Sequence, residues 1–136
     1  MKTINLIITS LFILGMNSSC TGQSGKDEKA ATISETGDVE VIYFHNTRRC
    51  ATCNAVEDVT VQTLTEKYGE KIAFVSYNLE EEQGKDKAEK LGVAGQALLI
   101  VKGDKKINIT SEGFMYARNN PEKLKQIIAE KIDPLL

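Results

Sequence analysis

The sequence has no tryptophan, one histidine, two prolines and three cysteines among its 136 residues. It also lacks an excess of basic side chains, because 17 Lys and Arg compare with 19 Asp and Glu, a formal net charge of -2. Such a chain has few cations for neutralising phosphates, which argues against nucleic-acid binding and against adhesion to a membrane by a polybasic face. The length and the 41% hydrophobic content indicate one globular domain.

The first twenty residues have the pattern of an export signal. Lys2 begins a short positive region, residues 4–16 are mostly apolar, and three small polar residues precede Cys20. The apolar run is shorter than the about 20 residues of a membrane-spanning helix. A cysteine in this place resembles the lipobox of bacterial lipoproteins, although Asn17 replaces the usual leucine. The resemblance implies a signal peptide over residues 1–19, a lipidated cysteine and a bacterial cell-envelope location; an ordinary signal cut nearby is the alternative.

Residues 20–38 are predicted to consist of the lipidated Cys20 and a flexible tether that follows it. Gly, Ser, Thr, Lys, Asp and Glu dominate this segment, and large apolar side chains are almost absent. It cannot bury enough apolar surface to offset the entropy cost of ordering. As a flexible coil the segment would span on the order of 25 Å. The folded domain is therefore expected over residues 39–136.

The remaining sequence alternates strand and helix patterns. Residues 39–44 are β-branched and aromatic, which is typical of a buried strand. Apolar positions from Ala51 to Tyr68 recur at helical spacing and end at Gly69. The further predicted elements are a strand over 71–77, a helix over 80–91, strands over 96–102 and 106–110, and a last helix from 120. The order βαβαββα predicts an α/β fold whose mixed central sheet has helices on both faces.

Cys50 and Cys53 lie where the first predicted strand meets its helix. A thiol attacks as the thiolate, and free N–H groups at a helix N-terminus favour the anion, so we predict that Cys50 is the nucleophile. Arg48 and Arg49 add positive charge just before it. Cys53, one helical turn later, is placed to resolve a mixed disulfide formed by Cys50.

Two other interpretations of the cysteine pair stay open. The first is an inert structural disulfide, although so short a loop constrains little of the unfolded chain. The second is metal or metalloid binding by the two thiols together with His45, the only histidine. Two thiolates and one imidazole fall short of a closed four-ligand zinc site, and a histidine at a strand end is more often a packing residue. No metal site is therefore predicted.

The C-x-x-C segment, its position and the element order together resemble the thioredoxin-like superfamily over residues 39–132. That superfamily usually has a cis-proline facing the cysteines, whereas Ala97 stands here after residues 92–96. A non-proline cis bond costs about 2.5–4 kcal/mol, so we expect a trans bond and an altered substrate-docking edge. Tyr43 occupies the position of the superfamily's buried acid, and Asp58 that of a helix-kinking proline. These departures predict poor reduction of general protein disulfides, although a dithiol needs neither feature to exchange electrons.

A narrower resemblance is to small ArsF-type lipoproteins. It rests on the lipobox, the acidic tether, the segment 44–57 that contains the cysteine pair, and the proline-free segment 96–98. That family is associated with the reduction of nitrophenyl compounds, including aromatic arsenicals, beside a partner reductase subunit and an efflux permease. The resemblance implies a thiol-disulfide oxidoreductase or electron-transfer subunit that works with a partner redox protein or reductase subunit. No cofactor fingerprint is present, so no cofactor is predicted; a thiol-based metal or metalloid binding module is the alternative function.

Overall fold

The computed structural model describes residues 38–136. The predicted signal peptide, Cys20 and the tether up to residue 37 lie outside the described residues. The strands are β1 (Glu40–His45), β2 (Ala73–Asn78), β3 (Ala97–Lys102) and β4 (Lys105–Asn108). The helices are α1 (Ala51–Tyr68), α2 (Glu82–Leu91), α3 (Thr110–Tyr116) and α4 (Pro121–Ile132), followed by a 3₁₀ turn over Asp133–Leu135. Within this part of the chain no helix combines the length and the apolar character that crossing a membrane requires.

The four strands form one mixed sheet in the order β2-β1-β3-β4. Strand β1 is parallel to β2 and antiparallel to β3, and β3 and β4 form an antiparallel hairpin. Because β1 is flanked on both sides and covered on both faces, its residues 41–44 are fully buried. Tyr43 is paired with Ser76 of β2 and with Leu98 of β3, so this tyrosine lies in the middle of the sheet.

The helices cover both faces of the sheet and enclose two apolar cores. Helices α1 and α4 pack on the face that carries Val41, Tyr43 and Leu98, where the larger core lies. Helix α2 packs on the opposite face, where Ile42 and Phe44 belong to the smaller core. The alternation of neighbouring β1 side chains between the two cores follows from the two-residue period of a strand. The predicted arrangement of helices on both faces is confirmed.

The predicted element order omitted helix α3. The sequence pattern predicts a strand that continues to Thr110, but β4 ends at Asn108. The Asn108 Oδ1 atom accepts hydrogen bonds from the Thr110 amide at 3.0 Å and from the Thr110 hydroxyl at 2.6 Å. The helix that follows contains Gly113, a poor helix former, at the point where it packs against Leu98 and Val56. Tertiary packing therefore stabilises a helix that the sequence pattern does not indicate.

The remaining boundaries differ little from the prediction. Helix α1 has the predicted range and ends before Gly69, which has a positive φ of 61°. Helix α2 ends before Gly92, whose φ of 66° is the left-handed conformation that glycine adopts readily. Both β2 and α2 begin two residues later than predicted, at Ala73 and Glu82.

Helix α2 approaches the end of β2 very closely at Gly84. This glycine is buried, and a Cβ atom added to it would lie 1.8 Å from the carbonyl oxygen of Asn78. The same carbonyl accepts a hydrogen bond from the Glu81 amide at 3.1 Å, which fixes the β2–α2 turn. Only a residue without a side chain permits this contact between helix and strand.

Strand β4 forms one edge of the sheet and is only four residues long. Lys105 and Lys106 are exposed on it, and the Lys106 ammonium donates a hydrogen bond to the carbonyl of Leu91 at the end of α2. The opposite edge of the sheet is formed by β2.

Candidate dithiol site

The candidate site is built at the N-terminus of α1. Cys50 is the N-cap residue, with extended backbone angles, and its Sγ accepts a hydrogen bond from the Cys53 amide at 3.2 Å. The sulfur therefore takes the place that a serine or aspartate oxygen usually takes at a helix start. Cys50 and Cys53 are joined by a disulfide whose Cα atoms are 5.0 Å apart, within the range that a disulfide requires.

The two cysteines differ in exposure. Cys50 is exposed, whereas Cys53 is buried, with 3% of its surface exposed. An incoming disulfide can reach only the first sulfur without a rearrangement of the protein. This asymmetry is what a nucleophile and a resolving thiol need, and the assignment of those two roles stays a prediction.

The two arginines before the disulfide point in different directions. Arg48 is exposed beside Cys50. Arg49 turns inward, where it forms an ion pair with Glu57 of α1 and donates a hydrogen bond to Ser76 Oγ at 3.1 Å. The sequence predicts positive charge from both arginines, but Glu57, which no local sequence pattern indicates as a partner, neutralises Arg49.

Tyr43 connects the sheet to Cys53. Its side chain is fully buried, and its hydroxyl donates a hydrogen bond to the Cys53 carbonyl at 3.1 Å. Burial raises the pKa of Tyr43 above its usual value; the nearby Arg49 charge lowers it and Glu57 raises it again. The phenol is therefore protonated at neutral pH and acts as a hydrogen-bond donor. It does not supply the proton acceptor that a carboxylate at this position would be.

Gln96 is a site residue that sequence analysis missed. Its side-chain oxygen lies 3.7 Å from the Cys53 sulfur, so after reduction it can accept a hydrogen bond from that thiol. Its position next to Ala97 could have indicated this contact, because Ala97 is expected to lie near the cysteines. Ala97 is buried at the start of β3, paired with Phe44, and the peptide bond before it is trans, as expected.

Comparisons with known proteins identify the fold but no closer relationship. No protein-family model matches the sequence, and no curated protein matches it. Among solved structures, oxidised thioredoxin O2 from Arabidopsis thaliana is similar with a TM-score of 0.52 and 21% identity, covering 69% of this chain and 75% of the other. The thioredoxin of Malassezia sympodialis gives a TM-score of 0.51 and 24% identity, covering 70% and 76%.

The chain has a thioredoxin-like fold. Residues 38–136 thus confirm the predicted α/β architecture with its mixed sheet. Identities of 21% and 24% support the fold alone. The chemistry of the dithiol depends on the geometry of the site and not on the fold.

A groove borders the dithiol on the α2 side of the thioredoxin-like domain. It has a volume of about 580 Å³ and is open to solvent. Gln96 lines the groove, and its side-chain oxygen also lies 3.7 Å from the Cys53 sulfur, so the groove and the dithiol share this residue. Its other lining residues are Asn46, Leu79, Lys85, Ala88, Glu89, Val93, Ala94 and Gly95. A partner or substrate group that reaches the disulfide can occupy this space.

His45 lies at the end of β1 in the thioredoxin-like domain and is half-buried. Its Nδ1 is 3.0 Å from the Asn46 carbonyl oxygen, and its ring centroid is 5.9 Å from that of Tyr43. Across residues 38–136 there is no group of three or more His, Cys, Asp or Glu side chains that could hold a metal ion. The structure therefore does not assemble the ligand set of two thiols and one imidazole.

Proposed function

We propose that this protein is a thiol-disulfide oxidoreductase or electron-transfer subunit that works through Cys50 and Cys53. The observation that supports the proposal is the asymmetric disulfide: an exposed sulfur at the start of an 18-residue helix bonded to a buried one. The helix N-terminus stabilises the thiolate that forms at Cys50 on reduction.

The exchange proceeds in two steps. The Cys50 thiolate attacks one sulfur of a substrate disulfide, which forms a mixed disulfide and releases the other substrate sulfur as a thiolate that takes up a proton. The Cys53 thiol then loses its proton and attacks the Cys50 sulfur, which releases the second substrate thiol. The substrate gains two electrons and two protons, and the protein changes from dithiol to disulfide. The reverse sequence oxidises a substrate dithiol.

The proposed setting is the bacterial cell envelope, where a lipid on Cys20 anchors the protein to a membrane. The export pattern of the first twenty residues and the polar segment that follows support this setting. The proposed partner is a redox protein or reductase subunit, and the proposed service is the reduction of nitrophenyl compounds. This finer proposal is supported by the resemblance to ArsF-type lipoproteins and by the trans peptide bond before Ala97, where thioredoxins usually have a cis-proline.

A redox titration of the full-length protein tests the proposal. The protein is equilibrated with glutathione buffers, with and without added zinc, and each cysteine-containing peptide is then assigned by mass spectrometry. A reversible two-electron couple between Cys50 and Cys53 is the expected result. Tight retention of the metal by the two thiols, without a cycling disulfide, would establish the alternative of a metal-binding module.

Replacing Ala97 by proline tests the docking edge. Substrate chains dock on such an edge through main-chain hydrogen bonds, and the loss of one or two of them at about 1 kcal/mol each weakens docking by about tenfold. The ratio of the insulin reduction rate to the reduction rate of a small-molecule disulfide should therefore be about tenfold lower for the wild-type protein than for an ordinary thioredoxin. The Ala97→Pro variant should recover part of this difference. If the wild type and the Ala97→Pro variant both reduced insulin at the rate of an ordinary thioredoxin, the proposal of a dedicated partner would be contradicted.

Replacing Cys20 by serine tests the anchor. We expect the variant to leave the membrane fraction, because a thioether-linked lipid cannot form on serine, while the couple between Cys50 and Cys53 stays unchanged. Membrane fractionation followed by the glutathione titration measures both properties. A Cys20→Ser variant that stays in the membrane fraction would exclude lipid anchoring through this residue.

A further inference from the structure

A half-buried ion pair between Arg49 and Glu57 lies at the first two turns of α1. Besides its bonds to Glu57 and Ser76, the Arg49 guanidinium lies over the Tyr43 ring, 5.8 Å from the ring centroid. The Arg49 Nε atom and the Glu57 Oε2 atom are both shielded from solvent. Tyr43 and Ser76 are paired across β1 and β2, so the pair is fixed between the helix and two strands.

Glu57 lies on the same face of α1 as the resolving cysteine. It follows Cys53 by four residues, and Cys53 follows Cys50 by three, so all three positions form one stripe along the helix. Arg49 directly precedes the nucleophile. The positive charge and the negative charge of the ion pair therefore both act on a thiolate at Cys50, in opposite directions.

We infer that Glu57 is a positioning residue that keeps the dithiol reducing. It holds Arg49 inward and cancels its charge, so that the helix N-terminus remains the main stabiliser of the thiolate. An uncompensated arginine would stabilise the thiolate further, and stabilising the reduced form makes a dithiol a weaker electron donor. This inference rests on the proposed function and assigns the protein the role of donor, which gives two electrons and two protons to a disulfide and becomes the disulfide itself.

Other charged groups around the start of α1 do not replace Glu57 in this role. Glu80 accepts a hydrogen bond from the Thr47 amide at 3.2 Å in the loop before the cysteines, and His45 lies beside Tyr43. Arg48 is exposed, where solvent and salt screen its charge. Glu57 alone among these groups forms an ion pair with Arg49.

The test uses Glu57→Gln and Arg49→Met in the full-length protein. The glutamine can still accept a hydrogen bond from Arg49, but it carries no charge. We expect about threefold faster alkylation of reduced Cys50 at pH 6, assigned by peptide mass spectrometry, and a shift of about threefold toward the dithiol in glutathione buffers. Arg49→Met should change both measurements in the opposite direction, and the double variant should resemble the wild type.

Asp58→Asn is the matched control, because it removes the same charge from an exposed position on the same helix. It should leave both measurements unchanged. If the ion pair only stabilises the fold, Glu57→Gln and Arg49→Met should both lower the stability, and their Cys50 alkylation rates should not change in opposite directions. That result would overturn the inference. If wild-type Cys50 and Cys53 do not interconvert reversibly with glutathione, the proposed function itself fails.

Discussion

Replacing Cys53 by serine is expected to stop the catalytic cycle after its first step and to leave the protein covalently joined to its substrate through Cys50. The exposed sulfur can still attack, but the group that would release the mixed disulfide is gone. Multiple turnover should fall below detection. Incubating the reduced variant with a disulfide substrate and measuring its mass should give one stable adduct on Cys50.

The matched variant is Cys50→Ser, which should form no such adduct, because the remaining cysteine, Cys53, is only 3% exposed. Reduced wild-type protein should also be alkylated faster at Cys50 than at Cys53 when the reagent is limiting. Faster labelling of Cys53, or a trapped adduct in Cys50→Ser, would reverse the assignment of nucleophile and resolving thiol.

Replacing Gly84 by alanine is expected to destabilise the domain strongly. Helix propensity alone favours alanine over glycine by about 1 kcal/mol inside a helix. The new methyl group would, however, lie 1.8 Å from the Asn78 carbonyl oxygen, so α2 or the β2–α2 turn has to move. Overpacking against backbone of this kind costs about 3 kcal/mol and should lower the Tm by about 15 °C.

Gly95→Ala is the control for this substitution, because a Cβ atom there meets no other atom within 4 Å. Its effect on the free energy of unfolding should stay within about 0.5 kcal/mol. Thermal unfolding followed by circular dichroism compares the two variants with the wild type. A Gly84→Ala variant as stable as Gly95→Ala would show that α2 does not depend on the close approach at Asn78.

Local sequence patterns were sufficient for much of the fold and for the dithiol. The continuous apolar residues of β1, the helical spacing of α1 and the glycines that end two helices are signals within a few neighbouring residues. Cys50 and Cys53 belong to the same class of signal, because only two residues separate them and they lie at the start of a helix.

Contacts between distant parts of the chain could not be predicted in this way. Arg49 meets Ser76 27 residues later, and the Cys53 sulfur meets Gln96 43 residues later. Neither contact leaves a periodic pattern in the sequence. Helix α3 was missed for the same reason, since the packing of Gly113 against Leu98 and Val56 becomes visible only when the sheet is assembled.

The short edge strand β4 has a consequence for self-association. An open strand edge offers unpaired N–H and C=O groups to a second copy, which is a common beginning of aggregation. The exposed Lys105 and Lys106 bring like charges together when two such edges approach, and four residues offer few pairing positions. Two copies that meet through this edge are therefore expected to separate again and not to extend the sheet from one molecule to the next.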